Sequence, residues 1–568
     1  MIRGVLARAK AVLWFLVLPS TVYLTLFCLL TYPLIGSFST EFFTNAGDGL
    51  QNVWNLWWIN RAVTVLHTSP WFTTYLYFPV GISLLGHTLN PFNGFASVLL
   101  LRFLTLVQTH NLIVVFSFVM GGVGACWLSY VFCKQYWASI IGGSIFTFSQ
   151  YHFAHADGHL QLLSLEWLPV FALSWYMLLK KPSFVVSVGS ALALLLVILC
   201  DFYYFAYAIL YAGIVAACEA WRRRDAVFLV REPHTRPFLL FAVLTAVIPG
   251  RLIVRLIFLN AADPLLGSHA PETFSTDLLA AIIPGGHWRF AELTRPYWDA
   301  LPGNIQESSV DVGFAVLAAL IYLAAHRSNH LARQAAPWWA VVLGFWVLSL
   351  GPVLRIWAMP FPEVPMPYTA LEKLVPAVQL SGVPSRMMVM VTLAAAVLTS
   401  VAFALLFGGS RRSRVAAGAL LALLTLEYLP RPIPTTLPDV PGYVSAVRDI
   451  AGPGGLLDLV SGYSSDRPFG SDSGSGIALY YQTIHERPMA SGYVARLPSS
   501  AWAMLVRQKQ LTDQNAYGAL CRDFGLRYLV APHAVSPTDT LASARLLYTD
   551  QVAEADVLEL APDGSCVA

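Results

Sequence analysis

Long apolar runs separated by short polar segments fill the first three quarters of the chain. About eleven of these runs could cross a bilayer with some tilt, since a spanning helix needs about 20 mostly apolar residues. They lie at roughly 12–34, 110–132, 138–153, 160–179, 184–200, 203–221, 238–259, 311–325, 337–356, 387–407 and 413–429. The pattern predicts an all-α polytopic membrane bundle of about 11–13 transmembrane helices.

The basic residues predict which ends of these runs face the cytoplasm. Cytoplasmic loops collect Lys and Arg, and six clusters do so here, at Arg3/Arg8/Lys10, Lys134, Lys180/Lys181, Arg222–Arg224, His326/Arg327/Arg333 and Arg411/Arg412/Arg414. All six fall inside if a twelfth run, about 91–107, is re-entrant or interfacial. We therefore predict a cytoplasmic N-terminus and long outer loops at 36–109 and 260–310.

After residue 430 the apolar runs stop, and turn clusters alternate with short β-like segments such as Leu456–Val460 and Leu526–Val530. This pattern predicts a small soluble α/β domain over 430–568, outside the membrane, following a transmembrane domain over 1–429. Cys521 and Cys566 both lie in this tail. They could pair in an oxidising compartment, or remain two separate thiols.

Composition supports lipid as the natural solvent. Of 568 residues, 57% are hydrophobic and 12% are charged, about half the usual charged fraction of a soluble domain. The net charge of +3 is too small to suggest nucleic acid as a partner. The apolar run behind Arg3, Arg8 and Lys10 is too long for a signal peptide, so we expect it to remain as the first span.

Asp48 is the first candidate for chemistry. It lies in the predicted first outer loop and is followed by a Trp- and Asn-rich stretch that includes Trp54 and Trp57. A carboxylate at the membrane surface can act as a general base, and nearby Trp rings can stack on sugars as substrate-binding residues. The alternative is that Asp48 only caps the following helix.

A second candidate is the turn that carries His155, Asp157 and His159. Histidine and aspartate clusters can relay protons or bind a metal, and His155 and His159 share a face if the segment is helical. The competing interpretation is a hydrogen-bonded cluster at a helix end.

Three arginines could bind a phosphate: Arg251 and Arg255, four residues apart, and Arg386 at the outer end of a span. Snorkelling to the interface explains them equally well. Three acidic residues complete the candidates for substrate binding: Asp201, Glu307 and the intramembrane Glu166. For Glu166 an ion pair with Arg251 or Arg255 is the structural alternative, and for Glu307 a solvated loop acid.

The chain carries an acidic residue early in the first outer loop, after one outward span. In this feature it resembles the GT-C superfamily of membrane glycosyltransferases. Six stretches fit the pattern of that group: Gly47–Trp58, which contains Asp48, Asn90–Asn93, His155–Gln161, Asn304–Gly313, Ser349–Pro352 and Val383–Arg386. The resemblance covers most of the chain, and the tail around Gln482–Tyr493 also fits. It identifies the chain as similar to a bacterial branch of that superfamily.

The resemblance implies an inverting transfer of a sugar from a polyprenyl-phosphate donor at the outer face of the cytoplasmic membrane. Asp48, His155, Asp157 and His159 would be catalytic, and the acceptor would be an envelope glycan, lipid or protein. Many members carry an acidic pair where Asp48 stands alone, so no cofactor is certain and a divalent metal stays open. A lipid transporter or flippase and a non-enzymatic envelope-assembly protein are the alternatives.

Overall fold

The computed structural model describes residues 10–375, 378, 382–408, 411–461, 473–533, 544–560 and 566. These residues form two compact units. Unit 1 consists of the described residues within Met1–Ser37, Asn111–Arg251 and Ser268–Ile433. Unit 2 consists of those within Phe38–His110, Leu252–Gly267 and Pro434–Ala568. Unit 2 thus joins the first outer loop to the tail, whereas the sequence assigned that loop to the transmembrane domain.

Helices make up most of the described residues, and all those named here lie among them. Those before residue 180 are Leu18–Leu30, Asp48–Thr64, Pro91–Leu100, Leu106–Cys133, Tyr136–Thr147, Gln150–Ala156, Leu160–Leu163 and Trp167–Lys180. Those up to residue 349 are Phe184–Cys200, Phe202–Arg223, Thr235–Val247, Pro249–Ala262, Arg295–Trp298, Ile305–Ser308, Phe314–Ala325, His330–Gln334 and Ala336–Ser349. The remainder are Pro367–Leu374, Met388–Phe407, Arg411–Glu427, Gly442–Asp449, Ser473–His485, Ser499–Asp513 and Tyr517–Phe524.

Five helical stretches among the described residues are long and apolar enough to cross a membrane: Lys10–Leu30, Leu106–Cys133, Phe202–Arg223, Thr235–Ala262 and Pro384–Phe407. Four shorter apolar helices accompany them, at Pro91–Leu100, Phe184–Cys200, Phe314–Ala325 and Ala336–Ser349. The helix Pro91–Leu100, predicted to be re-entrant or interfacial, is about 15 Å long, half the thickness of a hydrocarbon core.

The helix Met388–Phe407 lies at the centre of unit 1. Its residues from Met388 to Ala404 are all buried, which explains why its sequence is apolar on every side. Small residues allow the helix Tyr136–Thr147 to approach it closely: a Cβ at Gly142 would lie 2.2 Å from Ser400 Oγ and 2.4 Å from Ser129 Oγ. Close packing through small residues is typical of helix pairs in membranes.

Ten short strands occur in the described residues: β1 Phe72–Thr73, β2 Ile82–Ser83, β3 Leu265–Leu266, β4 Leu354–Ile356, β5 Met359–Phe361, β6 Leu456–Asp458, β7 Leu497–Pro498, β8 Tyr528–Pro532, β9 Arg545–Asp550 and β10 Ala555–Glu559. Four of them form a sheet in the order β6-β8-β10-β9. β6 is parallel to β8, and the other neighbours are antiparallel.

The all-α bundle with a small C-terminal α/β region is therefore confirmed. In that region the structure joins Cys521 to Cys566 in a disulfide, with the two Cα atoms 5.0 Å apart. Of the two alternatives that the sequence left open for these cysteines, the structure has the bonded one.

Candidate active site

Asp48 is the first residue of the helix Asp48–Thr64, which we call the loop helix. The cap comes from another residue: Asn45 Oδ1 accepts hydrogen bonds from the N–H groups of Gly47 and Gly49, at 3.0 and 3.1 Å. A Cβ at Gly49 would lie 2.0 Å from Thr44 Oγ1, so only glycine allows the preceding turn to pack here. Asp48 thus lies in the first turn of a helix, where the backbone favours a negative charge.

The tail supplies a partner to Asp48 within unit 2. The hydroxyl of Tyr493 donates a hydrogen bond to Asp48 Oδ1, and the backbone carbonyl of Tyr493 accepts one from Gln51 Nε2 at 3.0 Å. Asp48 remains partly exposed. The loop helix and the segment around Tyr493 therefore hold a carboxylate that solvent can reach.

His87 is a buried neighbour that the sequence analysis did not single out. Its Nδ1 accepts from the N–H of Ala495 at 3.2 Å, so the proton lies on Nε2, which donates to Asn55 Oδ1 at 2.9 Å. Burial lowers the pKa of His87 to about 3, although Asp48 acts in the opposite direction. A neutral imidazole thus fixes one side of the loop helix. A lone histidine after Gly86 gives no pattern from which this role could be predicted.

The two tryptophans predicted to stack on sugars lie in the core of unit 2. Trp54 is fully buried, stacks on Trp58 with ring centroids 5.7 Å apart, and donates to Gln482 Oε1 at 2.6 Å. Trp57 is 8% exposed and packs against Tyr75. Their rings are packed against protein, and substrate contact by either stays a prediction.

Unit 1 brings together four of the predicted site residues. His155 lies in the last turn of the helix Gln150–Ala156, and its Nδ1 lies 3.1 Å from Nδ1 of His159. Its Nε2 lies 4.0 Å from Glu307 Oε2, and Arg386 donates to Glu307 Oε1 through Nε and Nη2, at 2.9 and 2.5 Å. A buried carboxylate, a guanidinium and two imidazoles therefore form one cluster.

The charges in this cluster follow from its burial. Burial would raise the pKa of Glu307, but Arg386 and then His155 outweigh it and lower that pKa to about 2. Burial lowers the pKa of His155 well below its ordinary value. At neutral pH the cluster therefore holds an ionised Glu307 beside Arg386 and a neutral His155.

Asp157 and Asp201 attach to the edges of this cluster. Asp157 Oδ2 accepts from Gln306 Nε2 at 2.6 Å, next to Glu307 in the chain. Asp201 caps the helix Phe202–Arg223, because its Oδ1 accepts from the N–H groups of Tyr203 and Tyr204, at 2.7 and 3.1 Å. Arg386 lies 5.4 Å from the centre of the Tyr203 ring. Asp201 thus positions an aromatic ring under the guanidinium.

The structure does not bring Glu166, Arg251 or Arg255 into the cluster. Glu166 is buried and accepts from Ser117 Oγ at 3.0 Å and from Cys200 Sγ at 3.9 Å. Arg251 and Arg255 are both exposed on the helix Pro249–Ala262, as expected for snorkelling side chains. Phosphate binding by these two arginines stays a prediction.

The donor atoms of His155, His159 and Glu307 suit a divalent metal. One ligand atom from each lies within 4.8 Å of the others, and two imidazoles with a carboxylate are a common zinc set. Arg386 donates to Oε1 of Glu307, while Oε2 lies 4.0 Å from Nε2 of His155 and also accepts from Ser385 Oγ at 3.4 Å. Among the described residues, Nε2 of His155 is a buried nitrogen without a hydrogen-bond partner. These residues therefore fit a cation.

Comparison with known proteins places the chain in a family. The model of a domain of unknown function (DUF6311) matches residues 21–427. The chain belongs to the DUF6311 family. No curated protein matches it.

Solved structures similar to this DUF6311 chain include the arabinofuranosyltransferase AftD from Mycobacteria. The likeness has 16% identity and a TM-score of 0.55, and covers 97% of this chain and 41% of that one. The archaeal oligosaccharyltransferase AglB from Archaeoglobus fulgidus, in complex with an inhibitory peptide and a dolichol-phosphate, gives 11% identity and a TM-score of 0.44, covering 92% and 70%. ArnT from Cupriavidus metallidurans bound to undecaprenyl phosphate has 13% identity and a TM-score of 0.39, and the match covers 96% of this chain and 98% of that one.

The fold assignment rests on AftD, of whose length this chain spans about two fifths. At such identity the likeness concerns the fold. The DUF6311 chain has the fold of AftD, so the fold that the GT-C resemblance implies is confirmed. It is a multi-pass membrane protein.

Proposed function

We propose that this DUF6311 protein is an inverting glycosyltransferase with Asp48 as its general base. It takes a sugar from a polyprenyl-phosphate donor and transfers it to an envelope acceptor at the outer face of the cytoplasmic membrane. The observation that carries the proposal is Asp48 itself. It is a partly exposed carboxylate at the start of the loop helix, held by the Tyr493 hydroxyl, in a chain with a GT-C fold.

The reaction needs one base and one leaving group. Asp48 would take the proton of an acceptor hydroxyl as that oxygen bonds to the anomeric carbon of the sugar. The bond from that carbon to the phosphate breaks, and polyprenyl phosphate leaves with the electron pair. Since phosphate is already a good leaving group, positioning and one base supply most of what the step requires.

The other predicted residues take supporting roles in this proposal. Arg251, Arg255 and Arg386 would bind the donor phosphate, and the two hydrogen bonds from Arg386 to Glu307 Oε1 fix one of these guanidinium groups. A divalent cation, if bound by His155, His159 and Glu307, would supply positive charge near a phosphate. Metal analysis of the purified protein tests that part.

The proposed orientation places the N-terminus in the cytoplasm and the C-terminal region outside. The rivals are a lipid or glycan transporter and a non-enzymatic envelope-assembly protein. A transporter is expected to carry ionisable groups at mid-span. Glu166 lies at the N-terminal end of the helix Trp167–Lys180, whereas Arg251 and Arg255 lie within the apolar stretch Thr235–Ala262. These positions do not separate the two classes, so the Asp48→Asn variant decides between them.

The test in cells is mass spectrometry of envelope glycans and lipids from a strain that lacks the protein. We expect a shortened or missing glycan that the wild-type gene restores and Asp48→Asn, expressed at the same level, does not. The matched control is Asp513→Asn, which changes an exposed carboxylate of unit 2 that pairs with Lys509 at 2.6 Å. An unchanged envelope in the deletion strain, or full rescue by Asp48→Asn, contradicts the proposal.

A further inference from the structure

Unit 2 contains an open groove of about 520 Å³, within the usual size range of small-molecule sites. It is formed by the far end of the loop helix, at Arg61, together with segments of the tail. Its other lining residues include Phe78, Arg448, the turn Gly452–Gly454 and the segment His485–Pro488. The groove thus joins polar side chains from distant parts of the sequence.

Glu486 is held in an uncommon conformation at the wall of this groove. It follows the helix Ser473–His485 with φ of 57°, in the left-handed region where glycine usually ends a helix. Its Oε2 lies 2.5 Å from Arg61 Nη1, and its side chain is 46% exposed. The Arg61 guanidinium lies over the rings of Trp57 and Tyr75, at 5.5 and 5.3 Å. The groove therefore presents an oriented carboxylate that solvent reaches.

His485 adds a neutral donor to the lining. Its ring is buried, and Nδ1 accepts from the N–H of Arg487 at 3.1 Å. The proton of the neutral ring therefore lies on Nε2. Burial, with a smaller effect of Arg487, lowers the pKa of His485 to about 3, so the ring carries no charge at neutral pH.

Arg487 holds the lining turn Gly452–Gly454 and the residues before it in place. Its guanidinium donates to the carbonyls of Val447 at 2.8 Å, of Gly452 at 3.0 Å and of Ile450. It also lies 4.7 Å from the centre of the Tyr528 ring. The groove is therefore formed before any ligand arrives, which reduces the ordering cost of binding.

The mixture of groups selects the kind of ligand. Glu486 accepts hydrogen bonds, Arg61 and His485 donate them, and Phe78 offers an apolar face. Sugar hydroxyls both donate and accept, and sugar rings pack against apolar side chains. The lining carries Arg61, Arg448 and Arg487 against the single carboxylate of Glu486, so an isolated cation would be repelled. The donors and the one acceptor together suit a ligand rich in hydroxyl groups.

We propose that this groove binds the oligosaccharide chain of the acceptor, several sugars away from the hydroxyl that reacts. The identity of that chain as the acceptor rests on the proposed function. Asp48 and Arg61 lie thirteen residues apart on the loop helix, hence about 20 Å along its axis. A short acceptor that reaches Asp48 therefore does not reach the groove, whereas a longer chain does.

The test is binding by the full-length protein in lipid nanodiscs, measured by native mass spectrometry. The probe is the set of oligosaccharides released from the envelope of the organism that makes the protein, sorted by length. We expect the longer chains to bind and Glu486→Gln to weaken their binding at least tenfold. Arg448→Ala, at an exposed position, serves as a second variant if Glu486→Gln folds poorly. Asp513→Asn is the matched control and should bind as the wild type does.

Two results would overturn the proposal: no oligosaccharide bound at any length, or equal binding by the wild type and both groove variants. The same experiments distinguish a failure of the groove proposal from a failure of the proposed function. Binding that depends on Glu486 without any transfer keeps the groove and removes the transferase. Transfer to long acceptors that is indifferent to Glu486 and Arg448 keeps the transferase and removes the groove.

Discussion

Glu307 in unit 1 and Asp48 in unit 2 are both candidate-site carboxylates, but their surroundings differ. Glu307 is 5% exposed and receives two hydrogen bonds from Arg386. Asp48 is partly exposed and accepts from the neutral hydroxyl of Tyr493. A buried carboxylate locked to a guanidinium is suited to holding neighbouring groups in place. A carboxylate open to solvent is suited to meeting an acceptor hydroxyl.

The strongest test of this contrast is removal of the charge on Glu307. Glu307→Gln leaves the Arg386 guanidinium buried without its counter-charge, and such a loss costs about 3–5 kcal/mol. We expect a large fall in the denaturant midpoint of the purified protein. The double variant Glu307→Gln/Arg386→Met should recover much of it, because neither charge is then buried.

The matched control is Glu292→Gln in the same unit. Glu292 and Arg295 form an exposed pair at 3.3 Å, and such pairs contribute about 0–1 kcal/mol. Equal losses of stability for Glu307→Gln and Glu292→Gln would show that Glu307 has no special holding role.

The position of Asp48 is tested by Gly49→Ala. A Cβ at Gly49 would lie 2.0 Å from Thr44 Oγ1, and overpacking of this kind typically costs 1–3 kcal/mol. We expect lower thermal stability and reduced transfer, because the turn before Asp48 must move. Gly189→Ala in the helix Phe184–Cys200 is the control, since a Cβ there would meet nothing within 4 Å. A fully stable and active Gly49→Ala protein would contradict this account of the turn.

A smaller effect is expected from His87 and His485, two buried histidines of unit 2, on the pH dependence of stability. His87 and His485 each have a pKa of about 3, lowered mainly by burial. Below about pH 6.5 the unfolded chain binds protons that the folded chain does not, so stability falls as pH falls. Between about pH 6.5 and pH 3, each histidine lowers the free energy of unfolding by at most about 1.4 kcal/mol for every unit by which the pH falls.

Thermal unfolding from pH 7.5 to pH 5 measures this effect. His87→Gln should show a shallower fall in melting temperature than the wild type, although it starts lower because of the lost hydrogen bonds. An unchanged slope in both His87→Gln and His485→Gln would show that these rings are not held neutral.

The sequence predicted the fold class well, because apolar runs and turn clusters are local patterns. It also named His155, His159, Glu307 and Arg386, since each lies at the end of an apolar run on the same predicted side. It could not predict that residues 38–110 join the tail. That association depends on contacts such as Gln51 with Tyr493 and Trp54 with Gln482, more than 400 residues apart, which leave no local pattern.

The aromatic residues after Asp48 illustrate the same limit. In the sequence, Trp54 and Trp57 stand among Asn and Gln residues, and polar neighbours of this kind suggest that the two rings lie on an exposed, sugar-binding surface. In the structure Gln51 and Asn55 bond to other segments of unit 2: Gln51 Nε2 donates to the Tyr493 carbonyl at 3.0 Å and Asn55 Nδ2 to the Thr88 carbonyl at 2.9 Å. The helix is therefore buried on its polar side too, and the rings form core.

The most direct measurement is single-turnover transfer from a radiolabelled polyprenyl-phosphate sugar by the protein in lipid vesicles. Extracts of the deletion strain supply the acceptor, and the wild type is compared with Asp48→Asn. General base catalysis is worth about 10²–10⁴ in rate, so we expect Asp48→Asn to lose that factor while it still binds the donor. Transfer by Asp48→Asn at the wild-type rate would contradict the account.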